Sequence, residues 1–315
     1  MPNMIAQSVG VDISKDTLDV HLHPAGASRR FANDAKGFSA LIACLKGFAI
    51  ARVVFEPTGA YHHAFERRLA EAGLPLAKVN PRQARRFAEA IGRHAKTDAV
   101  DAAMLARFAM LIEPPARPIV SATLDEMKEL HVARRALVKD RVAALNRDKT
   151  RRSALLKRQA AERLRQIERQ IAAIDAALRA QLAADPALKA RFDILVSIPG
   201  VGETTALTIL VEMPELGAIE HKCAASLAGL APIARDSGRR SGKRFIRGGR
   251  AHLRQALYMP TLVAVRFNTV MRAKYNAFLA AGKPPKVALT AIMRKLIILA
   301  NALLRDGRTW TAKLA

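Results

Sequence analysis

Hydrophobic and polar positions in the first third of the chain alternate in the way that strands require. Residues 4–11 form a largely apolar run that predicts a buried strand. Residues 17–23 place three leucine or valine side chains on one side, with polar neighbours between them. Such alternation is typical of an antiparallel strand with one face in the core. A third strand is predicted at residues 28–32.

The pattern then changes to helices that are separated by single strands. Apolar residues from Phe38 to Leu45 repeat at helical spacing, and Asp34 is suited to cap this helix. Three antiparallel strands followed by alternating helices and strands predict a mixed sheet with helices on its faces. The further elements expected are strands at residues 52–56 and 76–79, and helices at residues 58–72, from residue 81 onward, and at residues 97–112.

Four carboxylates occupy related places in this arrangement. Asp12 interrupts the apolar run of the first strand, Glu56 ends that of the fourth, and Asp98 and Asp101 share one face of the last helix. Hard cations such as Mg²⁺ take oxygen ligands from a few carboxylates, and two such ions can stabilise the attacking and leaving oxygens of a phosphoryl displacement. Each acid alone is equally consistent with a cap or a surface charge. Their placement on successive elements favours a metal centre.

The middle of the chain predicts a long helical arm after a linker. Residues 113–118 contain three prolines, whereas residues 124–182 contain neither proline nor glycine. Thirteen Lys and Arg stand against four Asp and Glu between residues 134 and 169. We interpret the segment as a dimerising coiled coil whose outer face binds nucleic-acid phosphates; a solvated charged helix is the alternative. The seam consists of Leu164, Ile167, Ile171, Ile174, Leu178 and Leu182, and the candidate phosphate-binding cations are Arg147, Lys149, Arg151 and Arg152.

A second, mainly helical domain is predicted to begin at Asp185-Pro186. Residues 194–206 match a helix-hairpin-helix, in which Gly200 and Gly202 let the backbone approach DNA closely and the next helix holds a phosphate at its first N–H groups. A plain helical turn with glycines for geometry is the alternative. The chain is therefore divided into a domain at 1–113, a linker and arm at 114–184, and a C-terminal domain at 185–315.

The segment at residues 231–250 is rich in cations and small residues. Eight Lys and Arg and one acid lie between residues 235 and 254. A disordered loop that only binds phosphate would explain this composition. Ser237, followed by Gly238, is instead a candidate nucleophile, because the cations would stabilise charge on phosphoryl oxygens; Ser241 is its competitor. The candidate phosphate-binding residues here are Arg235, Arg239, Arg240, Lys243, Arg244 and Arg247.

The charge balance changes the picture from a generic α/β protein to one that binds a polyanion. The 315 residues include 52 Lys and Arg against 27 Asp and Glu, a net charge of +25. Because we find neither an apolar run of spanning length nor a signal peptide, we expect a cytoplasmic, nucleoid-associated chain outside the membrane. Cys44 and Cys223 lie far apart without metal-ligand spacing, which argues against structural zinc.

In combination, these motifs resemble the DEDD-type transposases of bacterial insertion sequences that are related to the Piv invertase, the bridge-RNA-guided recombinases. The resemblance covers nearly the whole chain. Residues 10–15 (GVDISK), 55–59 (FEPTG) and 96–102 (KTDAVDA) correspond to the RuvC-like acidic tetrad of that family. The turn IPGVG at 198–202, the segment AGLAP at 228–232, Ser237-Gly238 and IRGGR at 246–250 correspond to its C-terminal domain.

The resemblance implies a RuvC-like, ribonuclease H-like fold for the N-terminal domain. It further implies that Asp12, Glu56, Asp98 and Asp101 bind Mg²⁺ and that Ser237 forms a covalent link to a DNA phosphate. Ser237, with Gly238 after it, is preferred to Ser241 because it lies at the family's spacing before Ile246. Donor and target DNA, a non-coding guide RNA, and a dimer that becomes a tetramer on DNA are the implied partners.

Three other functions compete with this interpretation. A Mg²⁺-dependent junction endonuclease would hydrolyse DNA with water and would not need Ser237. An architectural nucleic-acid-binding protein would use its acids only structurally. A tyrosine recombinase is disfavoured because no Arg/His constellation precedes Tyr61, Tyr258 or Tyr275. The role of Asp236, which stands where many relatives have a second serine, is left open, and the pair His62-His63 is expected on a helix surface.

Overall fold

A computed structural model describes residues 5–57, 59, 61–92, 97–116 and 121–311, with the backbone alone at residues 99, 240 and 241. The chain forms two compact units, Met1–Ile119 and Val120–Ala315. Three parts of the sequence prediction lie outside the described residues: Thr58, at the start of the predicted helix 58–72, residues 93–96, before the predicted helix 97–112, and the end of the proline linker at 117–118. The three-part domain division stays a prediction.

The first unit is built on the mixed five-stranded sheet that the sequence predicts. Its strand order is β3-β2-β1-β4-β5. Strands β1 and β2 and strands β2 and β3 pair antiparallel, while β4 is parallel to both β1 and β5. A first run of hairpins followed by crossover connections therefore produces the mixture of directions. The strands are β1 (Gln7–Ile13), β2 (Thr17–His23), β3 (Ala27–Ala32), β4 (Ile50–Phe55) and β5 (Leu76–Lys78).

Among the described residues, four helices cover the two faces of this sheet. Asp34 caps the first helix as predicted, since its side chain accepts a hydrogen bond from Gly37 N–H at 2.7 Å. One core lies on the face that carries Val11 and Phe55, and a second core lies on the face that carries Val54. The sheet is therefore buried on both sides. The helices are α1 (Ala35–Leu45), α2 (His62–Glu71), α3 (Pro81–Ala90) and α4 (Asp98–Ile112).

Helix α4 lies directly against strand β1 because residue 10 is a glycine. A Cβ at Gly10 would stand 2.1 Å from the carbonyl oxygen of Ala102 and 2.3 Å from the backbone nitrogen of Ala106. No side chain fits into that space without moving the helix. This contact fixes the height of α4 over the sheet.

The second unit is mainly helical, as predicted. Its core gathers apolar side chains from most of its helices, including the fully buried Leu195, Leu178 and Ile292. The helices are α5 (Ala122–Asp148), α6 (Ala154–Ala184), α7 (Pro186–Val196), α8 (Glu203–Glu212), α9 (His221–Leu227), α10 (Ala251–Ala256), α11 (Tyr258–Phe267), α12 (Thr269–Ala280) and α13 (Pro285–Arg305).

Helix α13 corrects the expectation that no segment has the length and apolarity of a membrane span. Its 21 residues pass that test by length and composition. However, Ile292, Leu296, Ile297 and their neighbours are buried in the core of the second unit. The apolar composition is thus accounted for by packing within the protein.

The predicted arm is a hairpin of two helices, α5 and α6, joined by residues 149–153. Arg134 on α5 forms a two-point ion pair with Asp175 on α6. Along the predicted seam, Ile167, Ile171, Leu178 and Leu182 are buried. Since α5 of the same chain packs against α6, this seam is already covered within one chain. A dimer of the arm would need another surface, and the coiled coil between chains stays a prediction.

The basic segment contains short strands, not only irregular backbone. Two antiparallel pairs form, β6 (Pro232–Ile233) with β9 (Phe245–Ile246) and β7 (Asp236–Ser237) with β8 (Arg240–Ser241). The inner pair is connected by only two residues, Gly238 and Arg239. This hairpin is the structural context of the candidate nucleophile.

Candidate active site

Asp12 faces the first turn of α4, where Asp98 and Asp101 lie. Alternate residues of a strand point to the same face, so Asp12 shares the face on which Gly10 touches α4. The pKa of Asp12 is raised to about 6, first by burial and then by the negative charges of Asp98, Asp101 and Asp19. The structure therefore brings three of the four predicted acids into one electrostatic neighbourhood.

Continued by one residue beyond the end of β4, the sheet register would bring Glu56 next to Asp12. Val11 and Phe55 are register partners on the parallel strands β1 and β4, and Asp12 and Glu56 are the next residue on each. Neighbouring strands lie about 4.8 Å apart. Val54, two residues before Glu56, belongs to the core under α4, so alternation directs Glu56 to the same face. Glu56 is half-buried there.

A further acid, Asp19, lies in this centre and was not anticipated. It is the cross-strand partner of Asp12, and only 7% of it is exposed. The expectation that the polar side of β2 faces solvent is wrong at this position, because α4 packs on that face. The sequence feature that could have predicted this position is the short turn from Ser14 to Thr17. This turn sets the strand register that aligns Asp19 with Asp12.

Arg30 is the cation that accompanies Asp19. Its Nε donates to Asp19 Oδ1 at 2.9 Å from the neighbouring strand β3. This hydrogen bond and the charge of Asp19 raise the pKa of the guanidinium, to which Asp98 also contributes. Arg30, Asp19 and Asp12 are register partners in a row across three strands, and Glu56 follows directly after the end of β4.

The donor set fits a divalent cation. All the converging groups are carboxylates, the hard oxygen donors that Mg²⁺ prefers. Burial, and after it the charges of Asp98, Asp101 and Asp19, raises the pKa of Asp12, so a negative charge at this position is poorly compensated by the protein itself. A dication would relieve the repulsion that Asp98, Asp101 and Asp19 exert on Asp12.

A second cluster of possible ligands lies on α2. Ligand atoms of His62, His63 and Glu66 all lie within 4.8 Å of one another. The surface position expected for His62 is wrong: only 4% of it is exposed, and its ring packs against Phe55. Glu66 binds Lys78 Nζ at 2.7 Å. These contacts explain the cluster as part of the packing between α2 and the sheet.

Ser237 lies in the second unit, exposed at the end of β7. Gly238 follows it with a φ of +55° and occupies the first position of the two-residue turn. That is the position at which a tight hairpin turn of the II′ type requires glycine. Arg239, Lys243 and Arg247 are exposed nearby, whereas the side chains of Arg240 and Ser241 lie outside the described residues.

Two other cations of this segment are held by contacts within it. The guanidinium of Arg235 stands 4.7 Å from the centre of the Phe245 ring. Arg244 Nη1 donates to both carboxylate oxygens of Asp236 at 2.7 Å. Their orientation is therefore set by the protein.

The two glycines of the predicted helix-hairpin-helix have different surroundings. Gly200 has a φ of +97°, and a Cβ there would stand 2.5 Å from the carbonyl oxygen of Pro260. Packing against α11 thus accounts for this glycine. At Gly202, which precedes α8, the corresponding space is open. Only Gly202 leaves room for an approaching backbone or phosphate.

The four candidate cations of the arm gather at its tip. Arg147 lies in the last turn of α5, and Lys149, Arg151 and Arg152 lie in the connection to α6. Arg151 pairs with Asp148 at 3.6 Å, while the other three are exposed. The fold therefore concentrates these charges at the end of the hairpin.

Comparison with known proteins finds similarity in both units. A family model described as "Transposase" matches residues 9–158, which include all four predicted acids. A second, described as "Transposase IS116/IS110/IS902 family", matches residues 192–276, which include Ser237 and both turn glycines.

Individual relatives extend the similarity along the chain. The "Pilin gene-inverting protein" of Moraxella lacunata is 28% identical over 331 residues, covering 97% of this chain and 98% of the relative, and that of Moraxella bovis matches to the same extent. The "Insertion element IS110 uncharacterized 43.6 kDa protein" of Streptomyces coelicolor is 31% identical over 156 residues, covering 49% of this chain and 38% of the relative.

Proposed function

Because the chain belongs to the IS110-type DEDD transposases related to the Piv invertase, we propose that it cuts and rejoins DNA strands with two groups of residues. The first is a Mg²⁺ centre formed by Asp12, Glu56, Asp98 and Asp101. The second is the nucleophile Ser237. Donor and target DNA are the proposed substrates.

The observation that carries the proposal is the convergence of acids around Asp12. Anions that repel one another are costly to hold together, and burial, followed by the charges of Asp98, Asp101 and Asp19, raises the pKa of Asp12 to about 6. Such an arrangement is typical of a site whose charge is balanced by a bound ion or substrate. Mg²⁺, when bound there, would stabilise the charge that develops on the phosphoryl oxygens.

Ser237 supplies the covalent step in this proposal. Its hydroxyl oxygen attacks a DNA phosphate, the bond from phosphorus to one strand oxygen breaks, and that oxygen takes up a proton. The phosphoserine ester conserves the energy of the phosphodiester bond that was broken. A hydroxyl of another DNA strand can therefore displace Ser237 from the phosphate and join the strands without ATP. The exposed cations Arg239, Lys243 and Arg247 would hold the phosphate.

Three other features of the fold support the proposal. The mixed five-stranded sheet with α4 across it supports a RuvC-like fold. The open N-terminus of α8 after Gly202 supports a phosphate site of the helix-hairpin-helix type. The arm would bind nucleic acid through Arg147, Lys149 and Arg152 at its tip.

The proposed partners rest on the charge and on the family. A net charge of +25 supports DNA and RNA as partners. Guidance by a non-coding RNA, a dimer that becomes a tetramer on DNA, and a cytoplasmic, nucleoid-associated location follow from the family resemblance. Sequencing the RNA that copurifies with the protein tests the first of these: one enriched non-coding species would support it, and only random cellular RNA would contradict it.

Recovery of a protein–DNA adduct after denaturation tests the mechanism. Wild-type protein with Mg²⁺ and its DNA should give the adduct, and Ser237→Ala and Asp12→Asn should give none. Ser241→Ala serves as the matched control and should retain it. Adducts from Ser237→Ala but not from Ser241→Ala would make Ser241 the nucleophile. Cleavage by Ser237→Ala without any adduct would favour the endonuclease that uses water.

A further inference from the structure

We infer that Asp236 is a positioning residue for Ser237, which it holds in place by closing the hairpin through Arg244 and Gly242. This inference rests on the proposed role of Ser237 as the nucleophile. It assigns Asp236 neither as a metal ligand nor as the base that takes the serine proton.

The contacts of the Asp236 carboxylate reach across the hairpin. Both oxygens accept hydrogen bonds from Arg244 Nη1 at 2.7 Å, and Oδ1 also accepts one from the backbone N–H of Gly242 at 3.1 Å. Bonds in which donor and acceptor are both charged are stronger than neutral ones. The carboxylate therefore joins the residue before Ser237 to the chain that returns after the turn.

The hairpin needs such a brace because its own strands are short. Strands β7 and β8 have two residues each, and isolated short hairpins are marginal in water. Arg235 adds a second link by stacking on Phe245 at 4.7 Å. Gly242 allows the closure, because a Cβ there would stand 2.2 Å from the Arg235 carbonyl oxygen.

The same geometry argues against Asp236 as a general base. Successive side chains of a strand point to opposite faces, so Asp236 and Ser237 diverge. Both carboxylate oxygens already bind the guanidinium of Arg244. Taking the serine proton would require the ion pair to break and the carboxylate to move to the other face.

A double-mutant cycle on adduct formation separates the two roles. The variants are Asp236→Asn, Arg244→Gln and the double variant, and the first-order rate of adduct formation is measured at saturating DNA, with DNA affinity measured separately. A brace predicts that each single variant slows the rate by roughly three- to tenfold and that the double variant is no slower than either. Asp193→Asn removes a similarly exposed ion pair with Lys189 and should leave the rate unchanged.

Two outcomes would overturn the inference. A loss of a hundredfold or more in Asp236→Asn, with a changed pH profile and a normal rate in Arg244→Gln, would identify Asp236 as the base. Losses that add in the double variant would show that the two residues act separately.

Hydrogen exchange distinguishes failure of this inference from failure of the proposed function. In the protein without DNA, the Gly242 amide should exchange faster in Asp236→Asn and Arg244→Gln than in wild type. Unchanged exchange in both variants would refute the brace, whatever the nucleophile. Adducts formed by Ser237→Ala would refute the proposed nucleophile, even where exchange at Gly242 responds as expected.

Discussion

Asp12 is held in a place where its charge is unfavourable until something compensates it. Burial and three neighbouring carboxylates raise its pKa to about 6, above the ordinary aspartate value of 3.8. Because the pKa is higher in the folded than in the unfolded state, the folded state binds more protons between these two values. The free energy of unfolding therefore falls as the pH rises from about 4 to about 6. At higher pH, this contribution to the free energy of unfolding stays at its lower value.

Replacing Asp12 by asparagine should therefore stabilise the metal-free protein at neutral pH. In chelator, the free energy of unfolding of Asp12→Asn should exceed that of wild type at pH 7 by on the order of 1–2 kcal/mol, a figure reduced because the side chain is only half-buried. Below pH 4 the difference should vanish. Urea titrations at the two pH values measure it, and a difference that is the same at both would contradict the assignment.

Arg30 should matter to stability through Asp19. Without its guanidinium, the buried Asp19 would stand uncompensated beside Asp12, so Arg30→Gln should lower the urea midpoint at pH 7. Adding Asp19→Asn should restore much of the loss, since the unpaired charge is then gone. Arg85→Gln, which removes an exposed ion pair with Glu89, is the control and should change little.

The sequence points to residues whose chemistry is visible, whereas it does not point to residues whose place depends on strand register. Asp12, Glu56, Asp98 and Asp101 were predicted because an acid in an apolar run or on one helix face is unusual. Asp19 sits in a strand that alternates normally, so only its pairing with Asp12 shows its role.

At the level of elements, the contact between β1 and α4 determines whether the acids meet. Asp12 lies on β1, and Asp98 and Asp101 lie on α4. The separation of these two elements is set at Gly10, where the backbones of Ala102 and Ala106 come closest. A larger residue there would push α4 away from the sheet and carry Asp98 and Asp101 away from Asp12.

Substitution of Gly10 by alanine tests this contact. Because the added Cβ would meet backbone atoms at 2.1 and 2.3 Å, Gly10→Ala should destabilise the protein by about 3 kcal/mol and weaken divalent-cation binding. Gly47→Ala is the matched control, since a Cβ there meets nothing within 4 Å. Equal urea midpoints for the two variants would show that α4 is not held in this way.

Periodicity predicted the strands and most helices but not the end of α5. The seam from Leu164 to Leu182 is regular, and no proline or glycine marks the break at residues 149–153. The hints were weak: Asp148, Thr150 and Ser153 are poor helix formers, and Ser153 precedes α6. Periodicity also predicts the buried stripe of α6, but it does not predict which element packs on that stripe. In the structure this element is α5 of the same chain.

At the scale of the whole molecule, exposed positive charges gather at particular structural features. Exposed cations stand at the tip of the arm, at Arg147, Lys149 and Arg152, and around the serine hairpin. Composition predicted a polyanionic partner, but the places of these charges depend on the break between α5 and α6 and on the turn at Gly238, which only the fold reveals.

Neutralising the arm tip should weaken nucleic-acid binding without changing its sequence preference. The triple variant Arg147→Gln, Lys149→Gln, Arg152→Gln should reduce the slope of log affinity against log salt concentration by about 2 to 3 for duplex DNA, because each phosphate contact releases counterions. Three exposed lysines elsewhere, at positions 222, 283 and 286, changed to glutamine provide the control of equal charge. The same slope in both triple variants would exclude a specific role for the tip.

The way α4 completes the acidic centre also affects when the protein becomes competent during its synthesis. Asp12 and Glu56 leave the ribosome early, whereas Asp98 and Asp101 come from the last helix of the first unit. A nascent or truncated polypeptide that ends before α4 carries only half of the tetrad. Under the proposed function, DNA cleavage therefore cannot begin before translation has passed α4.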